Sequence, residues 1–172
     1  MISDNMVKLL NDQIQKEFYS SYLYLSMTAY FKSINLDGFA NFYFIQAQEE
    51  KDHALKIFDY VNQVGGKVSL SKIDSPKVDF ESIEEVLKLT LEHEQFVTKS
   101  IHNIVDVALS EKDHSTYSFL QWFVNEQVEE EDTADGNLKK FKIVGNDGKG
   151  ILMIDAEMAK RVYTPLAENT GQ

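Results

Sequence analysis

Six residues stand at spacings that let one cluster hold metal: Glu17, Glu50, His53, Glu94, Gln127 and Glu130. Glu50 and His53 are three apart, so on a helix they share a face and can ligate the same ion. A glutamate from each of two further helices, added to Glu-x-x-His, makes a carboxylate-rich set for two ions. Oxygen donors with a single imidazole suit iron or manganese and are poor for structural zinc. Taken singly, each of these side chains reads as an ordinary surface charge, and "QAQEEKDHAL" as a solvated helical face. Together they read differently, because bare carboxylates crowded into an apolar interior repel one another and lose their hydration. A bound cation pair removes that cost.

The positions also repeat. Glu17 and Glu50 are 33 residues apart, as are Glu94 and Gln127, and the two pairs are offset by 77. The same offset carries His53 onto Glu130, Phe42 onto Phe119 and Glu49 onto Glu126. This is the signature of a duplicated helical hairpin.

Four long amphipathic segments must position these residues. Helical composition between glycine-rich breaks predicts helices over about 4–33, 38–64, 81–109 and 113–144, then a short one over about 152–162. Each long helix threads onto a 4-3-4-3 seam. The seams run Leu10-Ile14-Glu17-Ser21-Tyr24, Tyr43-Gln46-Glu50-His53-Ile57, Leu87-Thr90-Glu94-Val97-Ile101 and Phe123-Gln127-Glu130-Ala134-Asn137. Every seam carries polar residues at its middle, and equal distances to the hairpin turns, roughly 21 Å each, bring them to one level. Residues 65 to about 80 are too many for a hairpin turn and can span up to roughly 50 Å, the length of a bundle. The expected fold is therefore all-α, a four-helix bundle with one long crossover connection and a short fifth helix.

Composition narrows the function. The 172 residues, 43% hydrophobic and 26% charged, fit one globular domain over 1–172, with the bundle over about 4–144. A formal charge of −11 excludes the basic footprint that nucleic acid or an anionic membrane demands. The absence of cysteine removes thiolate metal sites, iron–sulfur clusters and cysteine nucleophiles together. The N-terminal "MISDNMVKLL" lacks the basic-then-apolar layout of a secretion signal, so the cytoplasm is the expected compartment. His93, His102 and His114 fall off the seams and are expected to be exposed, with Glu131 and Asp132.

The segments "NDQIQKEFYSSYLYLSM", "AQEEKDHALKIFDYV", "LEHEQFV" and "FLQWFVNEQVEEE", at these spacings, resemble the bacterial non-haem ferritins along nearly the whole chain. The resemblance implies a ferritin-like bundle with a two-iron ferroxidase centre. Glu17, Glu50 and His53 would form its first iron site; a bridging Glu50 with Glu94 and Gln127 its second, with Glu130 nearby. Glu49, Glu126, Glu129 and Glu130 match the family's third iron site, and Tyr24 matches a tyrosine beside the centre able to supply an electron. Fe(II) would be the substrate, O2 or H2O2 the oxidant, and a hollow shell of 24 identical subunits the container. A second apolar stripe on the first helix, Phe18, Tyr22, Leu25 and Ala29, independently points to assembly.

The relatives are separable too. Bacterioferritins carry Glu-x-x-His in both halves and a haem-ligating methionine; here the second half reads Gln127-x-x-Glu130, and Asp52 stands where that methionine would be, so haem is not expected. Rubrerythrins add a cysteine-bound iron, which this composition excludes. Asp113 and His114 lie where animal ferritins pass iron inward, but the route in this chain is left open. Two other readings fit the same bundle: a di-iron or di-manganese redox enzyme, and a helical interaction module whose polar layer only sets register.

Overall fold

The computed structural model of the chain describes residues 2–166. Regular structure in them is wholly helical: α1 (Asp4–Ser33), α2 (Asp37–Gln63), α3 (Ile83–Ser110), α4 (His114–Val144) and α5 (Gly148–Met158). Three long helices start at residues that satisfy their own free N–H groups. Ser3, Ser82 and Asp113 accept from the backbone of Met6, Glu85 and Thr116 at 3.0, 3.1 and 3.0 Å. The start of α2 has no such side chain; Asp155 on α5 accepts from Phe39 N at 2.9 Å instead.

That contact explains where the fifth helix differs from expectation. It runs from Gly148 to Met158, not over 152–162. Asp147 caps it through Gly150 N at 2.8 Å, so the glycines that looked like breakers lie in its first turn. At Gly150 a Cβ would come within 2.6 Å of Val144 Cβ, and at Gly38 within 1.7 Å of the Asp155 carbonyl oxygen. Both glycines serve the close approach of α5 to the bundle.

Residues 64–82 form the crossover. Asn11 holds its first part, donating to Lys67 O at 3.0 Å and accepting from Ser69 N at 2.9 Å. Ser26 Oγ holds its last part at Lys77 O, 2.6 Å. The connection therefore runs beside α1 for roughly 22 Å. It sets α3 antiparallel to α1, so that Ser100 faces Gln13 while His93 faces Ser20. Likewise α4 runs antiparallel to α2, pairing Tyr60 with Thr116 and Gln46 with Glu130.

The duplication is visible in three dimensions. The turns α1–α2 and α3–α4 each contain one non-glycine residue with positive φ, Asn35 at 59° and Lys112 at 56°, at the same 77-residue offset as the ligands. The offset also takes Gln46 to Phe123 and His53 to Glu130, so the Gln46–Glu130 and His53–Phe123 contacts are one contact repeated. Two apolar clusters fill the bundle. One holds Phe31, Phe39, Tyr43 and Phe141; the other holds Leu10, Ile14, Ile57, Ile101 and Leu120. Near the end of α4 the buried position is Leu138 rather than Asn137, as expected when a 3.6-residue helix drifts from a strict seam.

Candidate metal centre

Between the clusters lies a layer of buried polar side chains: Gln13, Glu17, Gln46, Glu50, His53, Glu94, Gln127 and Glu130. Glu17 from α1 and Glu50 and His53 from α2 each present one ligand atom within 4.8 Å of the others. Glu50 Oε2 lies 3.3 Å from His53 Nδ1, as the three-residue spacing requires. Gln13, one turn before Glu17, donates to Glu17 Oε1 at 2.8 Å and accepts from Ser100 at 2.6 Å. Three donors of the right chemistry thus converge from two helices onto one point, with a fourth side chain fixing the rotamer of the first.

The second half is arranged differently. Glu94 receives hydrogen bonds from Tyr24 OH and from Gln127 Nε2, the latter at 3.1 Å. Gln127 also donates to Thr98 Oγ1 at 3.3 Å, and Thr98 donates to Glu131 at 2.5 Å. Glu131 is thus half-buried and engaged, not the plain surface charge expected. Glu130 is held by Gln46.

Of the remaining residues, Glu126 Oε1 lies 3.9 Å from His53 Nε2, and its charge reaches Glu49. Glu129 is exposed. Glu49 is occupied by a partner the sequence did not suggest: Arg161 Nη2 lies 2.5 Å from its Oε2, while Nη1 donates to Gln46 Oε1 at 2.5 Å. Arg161 is the only arginine in the chain, which was the available signal.

His93 corrects an expectation. It is buried, with Nε2 2.7 Å from Ser20 Oγ and its ring between Tyr19 and Tyr24, because α3 turns this face toward α1. His102 and His114 are exposed, as expected. Trp122 meets the His53 ring edge-on at 5.3 Å and carries Lys56 over its face.

The electrostatics are those of buried carboxylates in mutual repulsion. Burial raises Glu50 well above the usual carboxylate range, and Glu94, Glu17 and Glu130 push it further. Burial raises Glu17 as well, opposed chiefly by His53. Glu94 is raised to about 7 by burial, with the Tyr24 and Gln127 hydrogen bonds opposing. Glu130 is raised to about 8 by burial and then by Glu94. His93 is lowered to about 4 by burial alone. Carboxyl groups that hold protons near neutrality in the interior, beside an imidazole, have the chemistry to exchange protons for a cation.

Comparison with known proteins agrees with this geometry. The family model of the ferritin-like domain matches residues 7–144. The chain is 45% identical over 155 residues to a bacterial non-heme ferritin of Campylobacter jejuni, covering 90% of this chain and 93% of that protein. It is 37% identical to a bacterial non-heme ferritin of Staphylococcus aureus, covering 95% and 98%. Among solved structures, an open-pore ferritin from the archaeon Archaeoglobus fulgidus superposes with a TM-score of 0.93 at 46% identity, covering 94% of this chain and all of that one. The match in motif, fold and length is continuous, and the chain belongs to the bacterial non-haem ferritin family.

Proposed function

We propose that the protein is a ferroxidase that stores iron: it oxidises Fe(II) at a di-iron centre inside each subunit and deposits the ferric product as mineral in a hollow shell of 24 copies. The observation that carries this reading is the buried convergence of Glu17, Glu50 and His53 within 4.8 Å, level with Glu94, Gln127 and Glu130. The donor set fits iron, since it offers carboxylates and one imidazole and no thiolate. In this reading Glu17, Glu50 and His53 take the first ferrous ion; Glu50, Glu94 and Gln127 take the second, with Glu130 beside them. Glu49, Glu126, Glu129 and Glu130 serve a third, outer position.

Each ferrous ion gives up one electron. O2 accepts two electrons and two protons to become H2O2, or H2O2 accepts the same to become two waters. Protons displaced from Glu94 and Glu130 on binding are available for that reduction. Tyr24, hydrogen-bonded to Glu94, positions that carboxylate and is close enough to lend an electron. Gln127, neutral where the first half has Glu50, holds the second ion more weakly and lets ferric product leave.

Assembly is supported by apolar surface. Tyr22 and Leu25 on α1 are 50% and 41% exposed, and Val78 on the adjoining crossover is 67% exposed. No described helix is long and apolar enough to cross a membrane. We assign the protein to the cytoplasm, with residues 1–172 working as one di-iron domain and no haem. Aerobic titration of purified protein with Fe(II), followed by size exclusion and iron assay, tests the whole reading. A large shell retaining hundreds of irons is expected; an iron-free small oligomer would overturn it.

A further inference from the structure

We infer that Arg161 is a tethered cation that holds the outer metal position closed, and that a third divalent ion enters beside Glu49 only when this guanidinium is displaced. The inference rests on the di-iron reading above. After α5 the chain has no regular structure and lies back against α2. Asn41 Nδ2 donates to Arg161 O at 3.0 Å, and Tyr163 OH donates to Asp52 Oδ2 at 2.5 Å, so the strap is fixed at Arg161 and two residues beyond it. The guanidinium stacks over Phe42, 4.4 Å from its centroid, and its two terminal nitrogens address Glu49 and Gln46.

Two consequences follow from that placement. First, Arg161 supplies Glu49 with the positive charge an ion would bring, in a pair only about a quarter exposed on either side. Arginine does not lose its proton in proteins, so raising the pH does not release Glu49; movement of the side chain does. Second, Gln46 links Arg161 to Glu130, accepting from one and donating to the other. With Arg161 in place the Gln46 amide is oriented and Glu130 is held. With Arg161 gone, the amide is free to turn and Glu130 to swing outward. The outer position and the second site are thereby coupled through one side chain.

The displaced side chain has somewhere to go. A cavity of about 460 Å³ lies between α4 and α5, bordered by Phe42, Asn137, Lys140, Glu157, Lys160 and Arg161 itself; Glu157, now bonded to Lys140, offers a carboxylate there. A dication beside Glu49, Glu126 and Glu130 replaces one positive charge with two, which favours the exchange at sufficient ion concentration.

Calorimetric titration with Zn(II), which is redox-inert, tests this on the full chain without any turnover. Wild type, R161Q, R161K and R161Q/E49Q are compared, with circular dichroism and size exclusion to establish that each is folded and assembled. R161Q is expected to bind its third ion at least tenfold more tightly than wild type. R161K, keeping the charge but not the two-pronged contact, should fall between them. The gain should vanish in R161Q/E49Q. Unchanged third-ion affinity in R161Q, or a gain that survives loss of Glu49, overturns the inference. Fewer than two ions on the wild type overturns the di-iron reading instead, and the role of Arg161 is still read from the difference between variants.

Discussion

In the α1–α2 hairpin, Glu17, Glu50 and His53 point ligand atoms at one another, and Gln13 donates to Glu17 from the turn before. In the α3–α4 hairpin the same repeat positions carry Glu94, Gln127 and Glu130, and each is tied to a neutral neighbour: Tyr24, Thr98 or Gln46. The two halves share turn conformation, register and offset, so the backbone does not cause the difference. Two substitutions do. Gln127 stands in place of Glu50 and gives an amide donor where the first half has a charge. Glu130 stands in place of His53 and removes the one nitrogen ligand. On the di-iron reading proposed above, the duplicated scaffold carries one strong metal position and one weak one, as turnover with release of product requires.

The largest test of this asymmetry breaks the strong half. Glu50→Ala removes the ligand that the di-iron reading shares between both ions, and rapid Fe(II) oxidation in stopped flow should fall by at least about 100-fold, beyond the effect usual for residues that only support a ligand. Glu17→Ala should lose fast oxidation as well while the shell still forms, because Glu17 faces only the interior. Unchanged fast kinetics in either variant would refute the ligand assignment.

The second test makes the halves alike. Gln127→Glu adds a carboxylate to the weak half and takes away the amide that donates to Glu94. The second ion should bind about tenfold or more tightly, from Coulomb attraction in a partly desolvated site. Product release should slow, so a single turnover stays fast while repeated turnover declines. A variant that turns over repeatedly at the wild-type rate would show that the neutral glutamine is not what frees the product.

The third test reads the charge of the whole layer. Glu94 and Glu130 hold protons up to about 7 and about 8 in the folded chain, whereas an unfolded glutamate titrates near 4.5. The metal-free native state therefore binds more protons than the unfolded state between those values, and its stability falls as pH rises through that window. The metal-free melting temperature is expected to drop from pH 5 to pH 8, and ions at the centre should abolish the drop. Calorimetry in buffers of different ionisation enthalpy should register at least about one proton released per chain at pH 7 on metal binding. His93 acts oppositely: lowered to about 4, it makes acid below 6.5 destabilising.

How much of this was legible in the sequence follows from what kind of interaction fixed each part. Helix existence and the ligand positions came from periodicity and from the 33- and 77-residue spacings, which survive any detail of packing. The placement of α5 did not, because the start of α2 at Gly38 and Phe39 meets Asp155 across more than a hundred positions, and Gly150 closes on Val144 only where α5 folds back. His93 was misplaced for a related reason. A seam describes one line of contact, and α3 buries a second line against α1 where Ser20 supplies the partner. Arg161 was invisible because the strap carrying it has no period, and only its uniqueness in composition set it apart.

The smallest expected effect concerns the residue that joins the halves. Tyr24 lies on α1, in the strong half, yet its hydroxyl donates to Glu94 in the weak one. That bond favours the ionised carboxylate, so Tyr24→Phe should raise Glu94 further and make protons compete harder for the second position. Loss of one hydrogen bond to such a group is worth about 0.5–1.5 kcal/mol, a few-fold to roughly tenfold in second-ion affinity. The deficit should be largest near neutral pH and shrink above pH 8, where Glu94 is ionised in both proteins. An electron-lending role predicts something else again: slower oxidation at every pH, with loss of any tyrosyl signal during rapid mixing. A pH-independent loss of rate with unaltered metal affinity would therefore make Tyr24 a redox partner, while a loss confined to neutral pH would leave it the positioning residue of the weaker half.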